Sequence, residues 1–263
     1  MNVFLLSIFV LLVFMSLVFL LALYLEDNSI VDTAYGLAFV LACGTAFLGN
    51  PGGHPRTIIA LLLVSAWGLR LAIHQFVRKV GKGEDFRYRQ WREEWGKTFV
   101  WRSFLQIFML QGAVVFVVAL PVLWVIAHPG GELGLLDLCG VLIWLVGFAF
   151  EAVGDWQLIQ FKKKPESKGH IMQSGLWRFT RHPNYFGEAT LWWGLFFLAL
   201  GAPYGAMTLA SPVLIDFLLL KVSGIPMLEK KYEGNAEFES YKRRTNAFFP
   251  WFPKTEGIND RTD

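Results

Sequence analysis

The densest chemistry in this sequence lies in residues 175–193, GLWRFTRHPNYFGEATLWW. A basic turn carrying Arg178, Arg181 and His182 leads through Pro183 into an apolar run that holds Asn184, Tyr185 and Glu188. Proline suits the first helical position, where its missing N–H costs nothing. Asn184 and Glu188 are four residues apart and share a helix face, which Trp192 continues one turn later. An amide and a carboxylate on an apolar helix, with cations at its mouth, form a ligand site for polar groups at a membrane surface. The competing reading is an interfacial anchor, with Arg, His and aromatic side chains at headgroup level.

Other ionisable groups interrupt apolar runs: Asp32, Arg70, His74, Glu151, Asp155 and Asp216. Such groups are costly in a bilayer and mark function by default. Glu151 and Asp155 stand one turn apart, with Lys162 further along that face. A half-membrane cavity gathering these groups is one reading, and a structural network of buried pairs is the other. His74 reads as a satisfied helix histidine, and Asp216 as snorkelling or paired with Lys221. Arg87, Arg89, Lys162, Lys163, Lys164, Arg178 and Arg181 form a basic lip suited to phosphate, and equally to an anionic membrane surface. No strand-linked GxGxxG occurs, nor a Walker A run, HExxH or GxSxG. The basic residues flank apolar runs, which gives no nucleic-acid face.

These groups must be positioned by membrane helices. The 263 residues are 54% hydrophobic and 16% aromatic, and uncharged runs near 20 residues recur. The sequence therefore predicts an all-α polytopic bundle of about seven spans in one membrane domain: about 3–25, 30–49, 57–78, 103–127, 134–160, 183–200 and 204–222. The first run is too long for a signal-peptide core and reads as a retained helix. Residues 79–102 read as a polar, aromatic-rich loop, and 223–263 as a cytoplasmic tail too aromatic for plain disorder. Cys43 and Cys139 read as buried thiols, and nothing has metal spacing.

Charge gives an orientation. Of the 24 Lys and Arg residues, all but Arg56 and Arg70 lie in 78–102, 161–182 and 221–263. Seven spans put those three segments on one side, which the positive-inside rule makes cytoplasmic, with the N-terminus outside.

The run GLWRFTRHPNYFGE resembles the signature of the membrane steroid 5-alpha-reductase-like proteins, in particular the bacterial-type DUF1295 branch. Further matches to that branch are Ser29, Val31, Asp32 and Gly36; WGLRL at Trp67 to Leu71; Glu84, Asp85, Arg87 and Tyr88; and Glu151, Asp155, Gln157 and Phe161. The tail SGIPMLEKKY, with Tyr241 and Thr245 beyond it, completes the set. The resemblance implies a cytoplasm-open cavity holding NADPH, which reduces the C=C bond of an enone in a lipophilic steroid, sterol or isoprenoid-like substrate. Carried over, it places Asn184, Tyr185 and Glu188 against the cofactor and Arg178, Arg181 and His182 near its phosphates. Glu151, Asp155 and Lys162 would hold ribose and phosphate, with Arg70, Arg87 and Tyr88 also at the cofactor. Glu229, Tyr232 and Tyr241 would close over it, and Trp67 and Trp192 would meet the substrate.

The sequence departs from the family where steroid reductases carry a Gln-Glu pair in the second helix and a Tyr in the third. Here the second span offers Asp32 and Tyr35, and the third offers Trp67. Asp32 is the expected proton donor, since a carboxyl in a dry cavity is driven toward its neutral form. Tyr35 competes for that role, and a helix-capping role for Asp32 is the alternative. An S-adenosylmethionine-dependent methyltransferase of the isoprenylcysteine kind, and a non-catalytic lipid-binding protein, are the other functions compatible with the sequence. The expected location is a bacterial inner membrane, with membrane lipid and a lipophilic small molecule as partners and no obligate protein partner.

Overall fold

The computed structural model describes residues 2–254. The described residues are helical and contain no strand. They include six stretches long and apolar enough to cross a bilayer, which makes this an integral membrane protein: Val3–Leu25, Ile30–Gly49, Pro55–Lys79, Phe86–Val118, Leu135–Lys163 and Gly205–Lys230. The last nine residues of the expected cytoplasmic tail lie outside the described residues.

The chain forms two compact units interleaved in sequence, Met1–Leu138 with Leu195–Ser211, and Cys139–Gly194 with Pro212–Asp263. The first contains α1 (Val3–Tyr24), α2 (Ile30–Gly49) and α3 (Pro55–Lys79). It continues through α4 (Phe86–Trp95), α5 (Phe99–Ser103), α6 (Leu110–Val118) and α7 (Leu120–Ala127). A π-helical turn, Phe104–Met109, joins α5 to α6. α2 and α3 cross at Gly36 and Gly68. A Cβ on Gly36 would sit 2.2 Å from the Gly68 carbonyl oxygen, so only glycine permits this approach.

Within this unit the helices run to and fro, and their ends gather in two groups. At one end the Asn28 amide donates to Ser103 Oγ (2.9 Å), and its backbone N–H donates to Glu84 (2.9 Å). At the other, Asn50 donates to the Ile126 carbonyl (2.9 Å) and Trp124 Nε1 to the Pro203 carbonyl (2.8 Å). There Arg56, only 2% exposed, pairs with Asp137 through Nε–Oδ1 (2.6 Å) and Nη2–Oδ2 (2.9 Å). Its remaining N–H groups reach the carbonyls of Pro129, Gly131 and Glu132. A guanidinium buried among five acceptors is a structural lock for the turn after α7.

The second unit is built on α8 (Leu135–Lys163, from Cys139 onward) and α9 (Pro183–Leu200, up to Gly194). It also holds most of α10 (Ala210–Phe217), then α11 (Ile225–Lys230) and α12 (Ala236–Arg244). Gly147 and Gly187 bring α8 and α9 together: a Cβ on Gly147 would lie 2.6 Å from the Gly187 carbonyl oxygen, and one on Gly187 2.5 Å from that of Gly147. Gly194 repeats the contact two turns on, with its Cβ position 2.7 Å from the Gly140 carbonyl oxygen. The glycines recur every seven residues along both helices, so one face of each is bare backbone.

Two sequence expectations change, and one is met in detail. The segment 79–102, expected as a loop, contains α4. Asp85 caps it by accepting from the Arg87 N–H (3.1 Å), Gln90 donates to Glu94 one turn on (2.7 Å), and Trp91 stacks on Trp95 at 5.6 Å. Charge density disguised the helix, although Tyr88, Trp91, Trp95 and Phe99 follow helical spacing. The fourth span, expected over 103–127 with an interruption at Pro121, does break there: α6 ends before Ala119 and Pro121 sits in the first turn of α7, because it cannot continue α6. Asp216 does not pair with Lys221; its Oδ2 accepts from Trp193 Nε1 (3.0 Å).

Candidate functional site

Polar side chains cluster in both units. In the first unit, the start of α2 meets α4. Asp32 accepts from Arg87 Nη2 (3.0 Å) through one oxygen and from the Tyr88 hydroxyl (2.7 Å) through the other. Arg87 also donates to Asp85 (3.0 Å), whose carboxyl ionises below the usual range because hydrogen bonds from Arg87 outweigh the upward push of burial. Beside it, Asp27 accepts from the Ser29 hydroxyl (2.6 Å) and pairs with Lys79 (2.6 Å), and although burial pushes its carboxyl up, these partners hold it below its ordinary range. Glu84 pairs with Arg92 (2.9 Å). The hydrogen bonds of the Asp32 side chain thus go to α4, whereas a capping role would direct them to its own helix. Tyr35, one turn along, turns to apolar company, with its ring edge-on to Phe39 (5.1 Å) and Trp67 (6.4 Å). Trp67 is fully buried, and Arg70 lies half-buried one turn beyond it on α3.

In the second unit, Glu151 and Asp155 are 3% and 8% exposed on α8. The amide of Asn184 on α9 donates to Asp155 Oδ1 (3.2 Å). A Cβ on Gly187 would meet that of Glu151 at 2.8 Å, so the glycine that lets the helices touch also sets the Glu151 backbone beside the turn carrying Glu188. Trp192 is fully buried two turns past Tyr185, and Lys162 is exposed near the end of α8.

Arg181, His182 and Glu229 form a second group there. Arg181 contacts Glu229 Oε1 through Nη2 (2.8 Å) and Nε (2.9 Å), and its Nη1 donates to the carbonyls of Lys242 (3.2 Å) and Thr245 (2.5 Å). His182 Nε2 lies 3.0 Å from the same carboxylate, and its ring stacks on Tyr185 at 5.4 Å. Burial lowers the His182 pKa despite this carboxylate, so the ring is held neutral below its ordinary range. Tyr241, its hydroxyl pKa raised by burial, donates to the Trp177 carbonyl. Tyr232 packs on Phe238 (5.2 Å). The tail is therefore bound back onto the turn preceding α9, with Arg181 as the clasp. The Arg181 N–H donates to the Asn246 carbonyl (2.9 Å), and the Trp251 N–H to that of Phe179 (2.9 Å).

Arg178 stands apart from Arg181. It is exposed and lines a groove of about 470 Å³ with Gln173, Tyr241, Arg244, Phe252 and Lys254. Sequence reasoning missed Gln173, Arg244 and Lys254. Their only advance signal was the mixture of cations and aromatics in the tail. Gln157, named by the resemblance without a role, accepts through Oε1 from the Leu176 N–H (2.9 Å) and fixes the Gly175 turn, where φ is +62°. No group of three or more His, Cys, Asp or Glu side chains suited to a metal occurs among the described residues.

Comparison with known proteins gives one match. The family model for DUF1295, described as a protein of unknown function, matches residues 18–245. No curated protein and no solved structure matches the chain.

Proposed function

The chain belongs to the DUF1295 family, and on that premise we propose that it is an NADPH-dependent membrane reductase of a C=C bond in a lipophilic, enone-type substrate. The observation that carries this reading is the pair of buried acids on α8, Glu151 and Asp155, of which Asp155 accepts from the Asn184 amide across the glycine contact of α8 with α9. Carboxylates at membrane depth are expensive to keep and mark ligand or proton sites.

The donor and acceptor chemistry fits part of a dinucleotide. Carboxylate oxygens accept from ribose hydroxyls, and an asparagine amide both donates to and accepts from a carboxamide. Lys162, at the exposed end of α8, is the cation on the same helix for a phosphate. Arg181 does not fit a phosphate role, because its guanidinium is committed to Glu229 and to two carbonyls. It acts with His182 as a positioning residue that holds the tail. The bound cofactor would supply the hydride. Glu151 and Asp155 would orient it, and Trp192 would keep its side of the α8–α9 pair apolar and dry.

Asp32 accepts hydrogen bonds from α4 at both oxygens, at one from Arg87 and at the other from Tyr88. Its part in this reading is to fix α4 against α2, and Tyr35, in its aromatic setting, keeps the acid role. The reading includes seven crossings, α9 supplying the seventh. Its 18 residues reach about 27 Å, close to the hydrocarbon thickness of about 30 Å. It places the N-terminus outside and the polar clusters on the cytoplasmic side of a bacterial inner membrane.

The test is thermal unfolding of the detergent-purified protein with NADPH, NADH or S-adenosylmethionine, since a ligand that binds the folded state alone raises apparent stability. NADPH at a hundredfold its dissociation constant should add about 2.7 kcal/mol, and Asn184→Ala or Glu188→Gln should remove most of that gain. A response to S-adenosylmethionine alone assigns the chain to methyl transfer. No response to any of the three favours a lipid-binding role without catalysis.

A further inference from the structure

Two grooves in the second unit meet at Phe252. One is basic, the groove of about 470 Å³ that holds Arg178, Arg244 and Lys254; no carboxylate lines it among the described residues. The other, of about 390 Å³, is lined by Phe150, Leu176, Phe179, Pro250, Trp251 and Phe252. We propose that together they bind one anionic phospholipid, its phosphate among the three cations and an acyl chain along the aromatic groove.

Three observations point to a lipid. First, the aromatic groove is continuous with the bilayer. Phe150 lies on α8 about 22 Å from its first residue, at 1.5 Å per residue, and so within a hydrocarbon layer about 30 Å thick. Second, Phe249, Trp251 and Phe252 are 70%, 69% and 76% exposed in a segment that backbone bonds from Arg181 and Trp251 tie down. Fixed, exposed aromatics beside a membrane helix belong at headgroup level, where their rings leave water. Third, the cations are held in place. The Gln173 amide donates to Glu237 (3.0 Å) while its oxygen accepts from Arg244 Nη2 (3.1 Å), so Glu237 orients the guanidinium through Gln173. The Lys254 N–H donates to the Arg244 carbonyl (2.9 Å), which places the lysine beside that arginine. A fork of arginines and a lysine next to an apolar trough matches a phosphodiester joined to acyl chains.

This site is separate from the carboxylates assigned to the cofactor, and its test separates the two. Native mass spectrometry of the full-length protein in detergent would compare retention of dioleoylphosphatidylglycerol and dioleoylphosphatidylcholine. The phosphatidylglycerol should be held preferentially. Lys254→Gln should weaken it about fivefold, and Arg178→Gln with Lys254→Gln further still. Both side chains are exposed, so their removal leaves the fold intact. Trp251→Ser should weaken both lipids alike. Equal retention of the two lipids by the wild type, or unchanged phosphatidylglycerol binding in the double variant, overturns the proposal. So does displacement of the lipid by excess inorganic phosphate, which would make this a free-phosphate site. If NADPH displaces the lipid and Lys254→Gln weakens NADPH, the groove belongs to the cofactor and the lipid assignment fails.

Discussion

Glu229 receives Arg181 and His182 on one carboxylate oxygen, and through them it fixes a tail of more than 20 residues to the turn before α9. Removing its charge leaves the buried guanidinium without a counter-ion and puts a neutral amide where Arg181 and His182 shared a carboxylate oxygen. Glu229→Gln should therefore cost about 3 kcal/mol and open the segment 236–254 to proteolysis first; an unchanged digestion pattern would deny the clasp. His182 adds a pH dependence. Its folded pKa lies below its ordinary value because it is buried, so near and below pH 6.5 the unfolded chain binds the extra proton. Stability should thus decline as pH falls through about 6.5 and level off once the folded value is passed. His182→Gln should flatten that part of a melting-temperature profile. At this scale the sequence marked polar residues within apolar runs but not what they touch. RHPNY was visible as a cluster of polar groups, yet the partner of Arg181 lies 48 residues away, beyond any local spacing rule.

Between α8 and α9 the seven-residue recurrence of Gly140, Gly147 and Gly154 faces that of Gly187 and Gly194. Gly147→Ala puts a methyl 2.4 Å from the Leu191 nitrogen, and only a backbone shift relieves that overlap. The expected loss is about 1–3 kcal/mol, together with weaker ligand binding as Glu151 and Asp155 move away from Asn184. Gly44→Ala on α2 meets no atom within 4 Å and should be neutral or stabilising, by up to about 1 kcal/mol. Comparing the two melting temperatures checks the claim, and equal losses would refute it. This glycine pattern was legible in the sequence, but hydropathy counts residues by polarity and passes over it. α4 was hidden for the opposite reason. Its charges suggested a loop, while its buried Tyr88 and stacked tryptophans needed a partner surface to be recognised as a helix face.

Across the whole molecule, the apolar runs were readable because a bilayer demands long uncharged helices. The expected spans at 3–25 and 30–49 agree with α1 and α2 to within one residue. α9 is the instructive exception: it is helical as expected, but Asn184 and Glu188 in its first turns keep it out of the six most apolar stretches. The proposed orientation makes its own prediction. With Cys43 and Cys139 replaced by alanine, Glu132→Cys should react with an impermeant maleimide on intact cells, and Lys168→Cys only after lysis. The reverse pattern would invert the topology. One lock described above also has a history in time. Arg56 finds its counter-ion in Asp137, 81 residues later, which a ribosome adding about 5–20 residues per second reaches some 4–16 s afterwards. In the proposed orientation the guanidinium crosses the bilayer during that interval without the carboxylate that neutralises it. The growing chain is thus most vulnerable to abandonment and degradation between those two residues, before any residue of the second unit's polar cluster has been made.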